Sequence, residues 1–349
     1  MKAENWLVTC CFAILGCASL QSSLTYTAFE GQTMGTYYRV VAGMSEQANL
    51  SVEQIDSKLV RINDAVSTYI ENSLISQFNH AADTIFALDE WDPELVSFFE
   101  INFNVAKDVY GISEGYFDPT VLPLVEYWGF GSRGRDTAFQ PDSAVVDSLA
   151  SLVGFDMIQM KGSEGERVLI KSKPGIELDF SAVAKGFAVD ALAELMESQQ
   201  ITNYLIDIGG EVRCRGVNRL GNTWVIGINT PAETASLQDV ELSVTVKNRS
   251  VATSGNYRNF YELNGQKYSH TINPMTGFPE RNQLLSVSIF TESCTLADAM
   301  ATACMSMGLD RSRAMIGKQK KVEAVFIYAD DSGKLTYEAT PGIRSLIKE

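Results

Sequence analysis

Five stretches of the chain space their apolar residues as one face of a helix does. Residues 51–63 carry Val52, Ile55, Leu59 and Ile62 on one side, and residues 93–110 repeat the pattern with Leu95, Phe98, Phe99 and Phe103. Residues 182–199 turn Val183, Phe187, Ala191, Leu192 and Leu195 inward, and 143–152 predicts a shorter helix. The fifth stretch, 295–307, is apolar nearly all round. Aromatic and β-branched runs predict strands at 33–41, 204–210, 223–229, 240–247, 258–263 and 285–290. Near the end, 322–328 and 335–338 flank Asp330-Asp331-Ser332-Gly333 and predict a hairpin. Helices and strands mix without strict alternation, so the pattern predicts an α+β fold, with no internal repeat.

The first residues follow a different logic. Lys2 precedes an apolar run from Trp6 to Leu15 that is too short to span a bilayer as a helix. It ends in Ile14-Leu15-Gly16-Cys17, which resembles a bacterial lipobox, where the cysteine is lipidated and becomes the mature N-terminus. On that reading residues 1–16 are a signal peptide, Cys17 carries the lipid and 17–28 form a polar tether. Residues 29–345 are then the folded domain, held on the periplasmic side of a bacterial membrane. A plain signal peptide is the other reading, and either one means export.

With 349 residues, 45% of them hydrophobic and 20% charged, the chain can build an ample globular core. Its net charge of −15 argues against a nucleic-acid partner and against nonspecific attachment to anionic lipid. A phosphate-rich ligand would need local relief from that field, through a metal ion or a helix N-terminus. Besides Cys17, the processed chain keeps Cys214, Cys294 and Cys304 and has no C-x-x-C, so neither a disulfide framework nor a zinc site is supported. Cys294 and Cys304 read as small buried hydrophobes.

Proton-transfer chemistry has few places to reside, because the chain has only two histidines. His80 follows Phe78-Asn79 in a polar stretch and reads as surface. His270 lies in Tyr268-Ser269-His270-Thr271-Ile272-Asn273-Pro274-Met275-Thr276-Gly277, where Pro274 and Gly277 mark a turn. It is either a base or a turn histidine satisfied by its polar neighbours. Asp298 and Thr302, four apart on the apolar helix, share a face, and a carboxylate beside a hydroxyl offers hard oxygens suited to Mg²⁺. A buried Asp without a partner is costly, so a cation or donor should compensate it. Asp179 and Lys185-Gly186 lead into the 182–199 helix, where Lys185 either cradles a phosphate or is merely solvated. Gly209-Gly210 and Ser254-Gly255-Asn256-Tyr257 permit close backbone approach to a ligand, or are ordinary turns; they do not form a Rossmann fingerprint.

Taken in order, these segments resemble the ApbE family, the FAD:protein FMN transferases, over roughly residues 29–345. The marks are Thr33-Met34-Gly35-Thr36, Ser67-Thr68-Tyr69 with Ser73-x-x-Ser76-x-Phe78-Asn79, and Gly115-Tyr116-Phe117-Asp118-Pro119. They continue with Asp179-Phe180-Ser181-Ala182-Val183-Ala184-Lys185-Gly186, Asp207-Ile208-Gly209-Gly210, Tyr268-Ser269-His270 and Thr295-Leu296-Ala297-Asp298-Ala299. The resemblance implies a two-lobed α+β fold, T-fold-like, with FAD in the cleft between lobes. It implies Mg²⁺-dependent transfer of FMN from FAD to a Thr or Ser hydroxyl of an acceptor protein, with release of AMP. By matching positions His270 would be the base, and Asp298, Thr302 and the Ala182 carbonyl would hold Mg²⁺. Met34, Tyr69, Tyr116, Phe117, Asp118, Asp179, Lys185 and Ile272 would contact FAD. The acceptor would be a membrane-associated electron-transfer subunit. One departure is Asn273, where many relatives carry Asp before the proline, which puts a metal role there in doubt.

Two other functions compete on the same residues. In an Mg²⁺-dependent FAD pyrophosphatase, water replaces the acceptor hydroxyl and FMN is released. In a non-enzymatic exported flavin-binding lipoprotein, His270 has no role in turnover.

Overall fold

Eight strands lie side by side in one antiparallel sheet: β1 (Thr25–Thr33), β2 (Thr36–Met44), β6 (Tyr204–Ile208), β7 (Glu211–Arg215), β10 (Arg249–Gly255), β13 (Leu284–Thr291), β14 (Glu323–Ala329) and β15 (Leu335–Ala339). The computed structural model describes residues 24–134, 139–232, 239–256, 260–263 and 266–348, so the expected signal peptide and Cys17 lie outside the described residues. Residues 25–28, expected to belong to a tether, are strand instead, because Thr25–Thr33 pairs with β2 along its whole length. Its polar look reflects an edge strand whose side chains alternate between half-buried and exposed.

On one face of the sheet lie helices α1 (Val52–Val66), α3 (Pro93–Ile112), α6 (Ala184–Ser198) and α7 (Cys294–Met307), and between them sits the main core. The amphipathic spacing explains α1, whose Ile55, Leu59, Ile62 and Val66 are buried. Ser51 and Gln54 close a capping box at its start. In α3 an Asp92 cap and Pro93 start the helix, and Phe98, Phe99 and Phe103 fill the core. Two shorter helices, α2 (Leu74–His80) and α8 (Leu309–Gly317), flank this layer, and His80 is exposed at the end of α2, as expected. A small sheet of β3 (Ile85–Ala87), β5 (Val168–Lys171) and β4 (Ile158–Lys161) edges it.

The opposite face is covered by β8 (Trp224–Asn229), β9 (Val240–Val246), β16 (Ile347–Lys348) and the short α9 (Pro341–Arg344), which enclose a second core with Cys214, Val251, Phe290 and Val325. A third, separate core is small. It joins α4 (Leu122–Tyr127), α5 (Ser143–Ala150) and the hairpin of β11 (Phe260–Leu263) and β12 (Gln266–Ser269) through Leu124, Trp128, Val146, Tyr268 and Ile272. Aromatic rings bind it together: Phe130, Tyr261, Tyr268 and Trp128 stack in sequence at centroid spacings of 5.3, 5.3 and 5.5 Å.

Where the strand pattern misleads, turns are the reason. Residues 33–41 are not one strand: Met34 and Gly35 both have positive φ and close the two-residue turn between β1 and β2. The expected strand at 204–210 ends at Ile208, because Gly209 and Gly210, with φ of +63° and +106°, turn the chain into β7. The predicted helix at 182–199 begins at Ala184. Of the strand expected at 258–263, residues 258–259 lie outside the described residues. Among the described residues no helix is long and apolar enough to cross a membrane.

All three cysteines in the described residues are buried and unpaired, as expected of small hydrophobes. Burial lifts the Cys214 thiol to about 11 and the Cys304 thiol to about 12, and holds Cys294 well above its ordinary value. Iodoacetamide at pH 8 should therefore leave the peptides carrying them unlabelled in native protein and label them after unfolding, as read by peptide mass spectrometry.

Candidate active site

Between the main core and the small third core runs a cleft of about 420 Å³, within the roughly 300–1,000 Å³ usual for small-molecule sites. Its main-core wall carries Asp179, Ala182, Lys185, Glu211, Ser254, Asp298 and Thr302, and its opposite wall carries Val121, Phe130, His270 and Ile272. Tyr69, Tyr116, Phe117 and Asp118 complete the lining. The residues expected to act together therefore meet, with one exception. Met34 is not among the lining residues; it sits at the β1–β2 turn, part-buried against the main core.

The main-core wall is fixed by the crossing of α6 and α7. Gly186 allows that crossing, since a Cβ there would collide with the Cys294 carbonyl and lie 2.9 Å from the Asp298 Cβ. Asp190 of α6 locks it. Its carboxylate accepts bonds from the Ser293 and Thr295 hydroxyls and from the Cys294 and Thr295 N–H groups at the start of α7, while Arg213 pairs with it at 2.6 Å. Asp190 is thus an N-terminal anchor for the helix that presents Asp298 and Thr302. Asp190→Ala should cost about 1–3 kcal/mol by leaving the N–H and hydroxyl donors at the α7 start without their acceptor, seen as a lowered urea midpoint with an unchanged m-value.

Asp298 is 2% exposed. Its compensation is partly internal: the Gly186 N–H donates to Oδ2 at 2.9 Å and Lys185 Nζ stands 3.8 Å from Oδ1. Lys185 bonds more closely to Glu211, at 2.8 Å. Burial pulls the Lys185 ammonium down, but the Asp298 and Glu211 carboxylates outweigh it and its pKa rises above the ordinary lysine value. Burial lifts the Glu211 carboxyl above its ordinary value, against the pull of Lys185. The second Glu211 oxygen, Oε2, is buried with no hydrogen-bond partner. Thr302 Oγ1 lies 3.3 Å from Ser254 Oγ.

This donor set fits a hard divalent cation. Two carboxylates share one ammonium, hydroxyls flank them, and among the described residues no thiol lines the cleft. Among the described residues no group of three His, Cys, Asp or Glu side chains could chelate a metal alone. A cation here would draw a carboxylate and a hydroxyl from the protein and need its remaining donors from elsewhere.

On the other side, His270 follows β12 directly and Phe130 packs edge-on against it at 6.4 Å. The turn beyond it is self-supporting. Asn273 accepts from the Met275 N–H and donates to Glu280, while Trp128 donates to the Gly277 carbonyl at 2.8 Å. Asn273 is committed to this turn and does not line the cleft. Asp118 accepts three bonds, from the Thr120 N–H and hydroxyl and the Phe155 N–H, while burial pushes it up to about 6. Burial also raises Asp179, against two bonds from Ser181. Glu211, Ser254 and Asp190 are the residues whose roles the sequence hid. For the first two the signal was the adjoining Gly209-Gly210 and Ser254-Gly255 pairs; Tyr257 lies outside the described residues.

Known proteins align with this chain almost end to end. A family model described as the ApbE family matches residues 34–326. The FAD:protein FMN transferase of Vibrio cholerae is 34% identical over 97% of this chain and 97% of its own. That of Klebsiella pneumoniae is 32% identical over 90% and 89%. A solved structure titled flavin transferase ApbE from Vibrio cholerae has a TM-score of 0.81 at 31% identity, covering 93% of this chain and 99% of that one. Sequence and fold thus agree over the same span, and this protein belongs to the ApbE family.

Proposed function

We infer that the protein transfers the FMN half of FAD to a threonine or serine hydroxyl of an acceptor protein and releases AMP. One observation carries the reading: a histidine, a lysine at a helix start and a carboxylate–hydroxyl pair converge on a single cleft. Relatives named FAD:protein FMN transferase support it. FAD lies along the cleft against Tyr69, Tyr116, Phe117, Asp118, Asp179, Lys185 and Ile272. His270 takes the proton of the acceptor hydroxyl as its oxygen bonds to the FMN-side phosphorus. The bond from that phosphorus to the bridging oxygen breaks, and AMP departs with that oxygen. Lys185, aimed and kept charged by Glu211, faces the diphosphate. Asp298, Thr302 and the Ala182 carbonyl would hold Mg²⁺, whose chemistry there is to offset charge growing on the diphosphate. A lipid on Cys17 would keep the enzyme at the periplasmic face of a membrane, beside acceptors that are membrane-associated electron-transfer subunits.

Incubation with FAD, Mg²⁺ and a candidate acceptor tests this. The acceptor should gain covalent flavin on Thr or Ser, with AMP formed in equal amount. Free FMN and AMP with an unlabelled acceptor would instead identify a pyrophosphatase, and no FAD turnover at all would leave only a flavin-binding protein.

A further inference from the structure

The two ends of the large sheet differ in charge and in purpose. Strand register places the start of β1, the β7–β8 loop 216–223, the β9–β10 turn 247–248, residues 292–293 and the α8–β14 link 318–322 at one end. Gly209, Glu211 and Ser254 of the cleft lie at the other. The loops at the first end, including 45–50 and 199–203, hold Arg219, Lys247, Lys318, Lys320 and Lys321 but only two acidic residues, Glu46 and Glu292. The whole chain carries 43 acidic residues to 28 basic ones, so these loops reverse the protein's overall sign. All five basic residues are exposed, and among the described residues only Lys321 is in an ion pair, with Glu292.

Apolar side chains stand among these charges. Leu220, 74% exposed, tips the 216–223 loop, and Leu24, 40% exposed, adjoins the start of β1. The end is also stiff. Tyr26 donates to the Val217 carbonyl at 2.7 Å, the Val217 N–H to Asn203 at 2.8 Å, and the Gly216 N–H to Asn248 at 2.9 Å.

The geometry points to this end as a face that rests on an anionic lipid surface, with Arg219, Lys247, Lys318, Lys320 and Lys321 toward headgroups and Leu220 dipping among them. Charge complementarity is the first argument, since basic side chains beside a helix or loop are drawn to anionic lipid within a Debye length. The second is the chain itself, because the segment from Cys17 enters the fold at this same end, at Leu24. Seven residues reach at most about 25 Å, so a lipid on Cys17 would hold this end, and no other, against the bilayer. The inference rests on the lipid-anchor reading for how the protein arrives, and on the charged end for how it sits. Glu211 at the far end of five-residue β7 and Ser254 near the far end of seven-residue β10 place the cleft roughly 15–20 Å from this end, so the active site meets acceptors above the headgroups.

The test uses the purified, acylated full chain in vesicles of phosphatidylglycerol and phosphatidylcholine or of phosphatidylcholine alone. An environment-sensitive fluorophore is placed on Asn222→Cys, beside Leu220, or on Asp331→Cys, in the β14–β15 turn at the other end. The Asn222 probe should shift to the blue and be quenched by lipid-borne quencher in anionic vesicles only. The shift should vanish at high salt and in the triple variant Arg219→Glu, Lys247→Glu, Lys320→Glu, while the Asp331 probe stays in water. That variant should keep wild-type FMN transfer to a soluble acceptor, because none of the three lines the cleft. A solvent-exposed Asn222 probe on anionic vesicles, or a lipid-immersed Asp331 probe, overturns the inference. If mass spectrometry finds no acyl chain on Cys17, the anchor reading fails by itself. The unacylated chain should then still sediment with anionic vesicles and be released by salt, and failure to do so overturns the face.

Discussion

Alanine at position 270 should lower flavin transfer by about 10²–10⁴-fold, the range that a positioned general base contributes, while FAD binding stays near wild type. Among the described residues no second histidine lines the cleft, and the only other one, His80, is exposed on α2. The turn that carries His270 is also held by Asn273, Glu280 and Trp128, supports that the substitution leaves in place. The measurement is single-turnover labelling of an acceptor, alongside FAD affinity from flavin fluorescence. A fall in kcat with unchanged affinity supports the base. Equal labelling by the variant and wild type would remove His270 from the mechanism, and lost FAD binding would make it a binding residue instead.

Asn at position 298 is the second large effect. Asp298→Asn keeps an oxygen to accept the Gly186 N–H but removes the charge, so the α6–α7 crossing should survive while divalent-cation binding fails. Loss of several kcal/mol of charge stabilisation on the diphosphate corresponds to about 10²–10³-fold in rate. The stability readout separates this from misfolding. Asp298 and Glu211 are like charges sharing Lys185, so neutralising one should leave the metal-free Tm unchanged or higher. Adding Mg²⁺ with FAD should raise the Tm of wild type and not of the variant, because only a ligand that binds the folded state stabilises it. EDTA should bring wild type to the activity of the variant.

The sequence disclosed more of the helices than of the strands, for a physical reason. In α1 and α3 the core-facing residues are large and recur at helical spacing, so burial leaves a direct imprint. Two central strands left none. In β7, Glu-Val-Arg-Cys-Arg, the charges reach partners on α6: Arg213 meets Asp190 and Arg215 meets Glu197. In β10, Arg-Ser-Val-Ala-Thr-Ser-Gly, small residues sit close under α7 and deliver Ser254 to the cleft, so the apolar alternation of a strand is missing. The site was legible wherever residue type alone limits the chemistry, as for a scarce histidine or an Asp on an apolar helix. It was hidden where meaning depends on long-range contact. Nothing near Glu211 in the chain reveals Lys185, and nothing near Asp190 reveals the start of α7.

His270 and the Asp298–Thr302 pair belong to separately packed bodies, one knitted by stacked aromatic rings, the other by the crossing of two helices. Such a division lets a lineage diverge unevenly. Substitutions in the small aromatic core can then reshape one wall of the cleft without disturbing the α6–α7 crossing that forms the other. Paralogues with different client proteins should then differ most on the aromatic side.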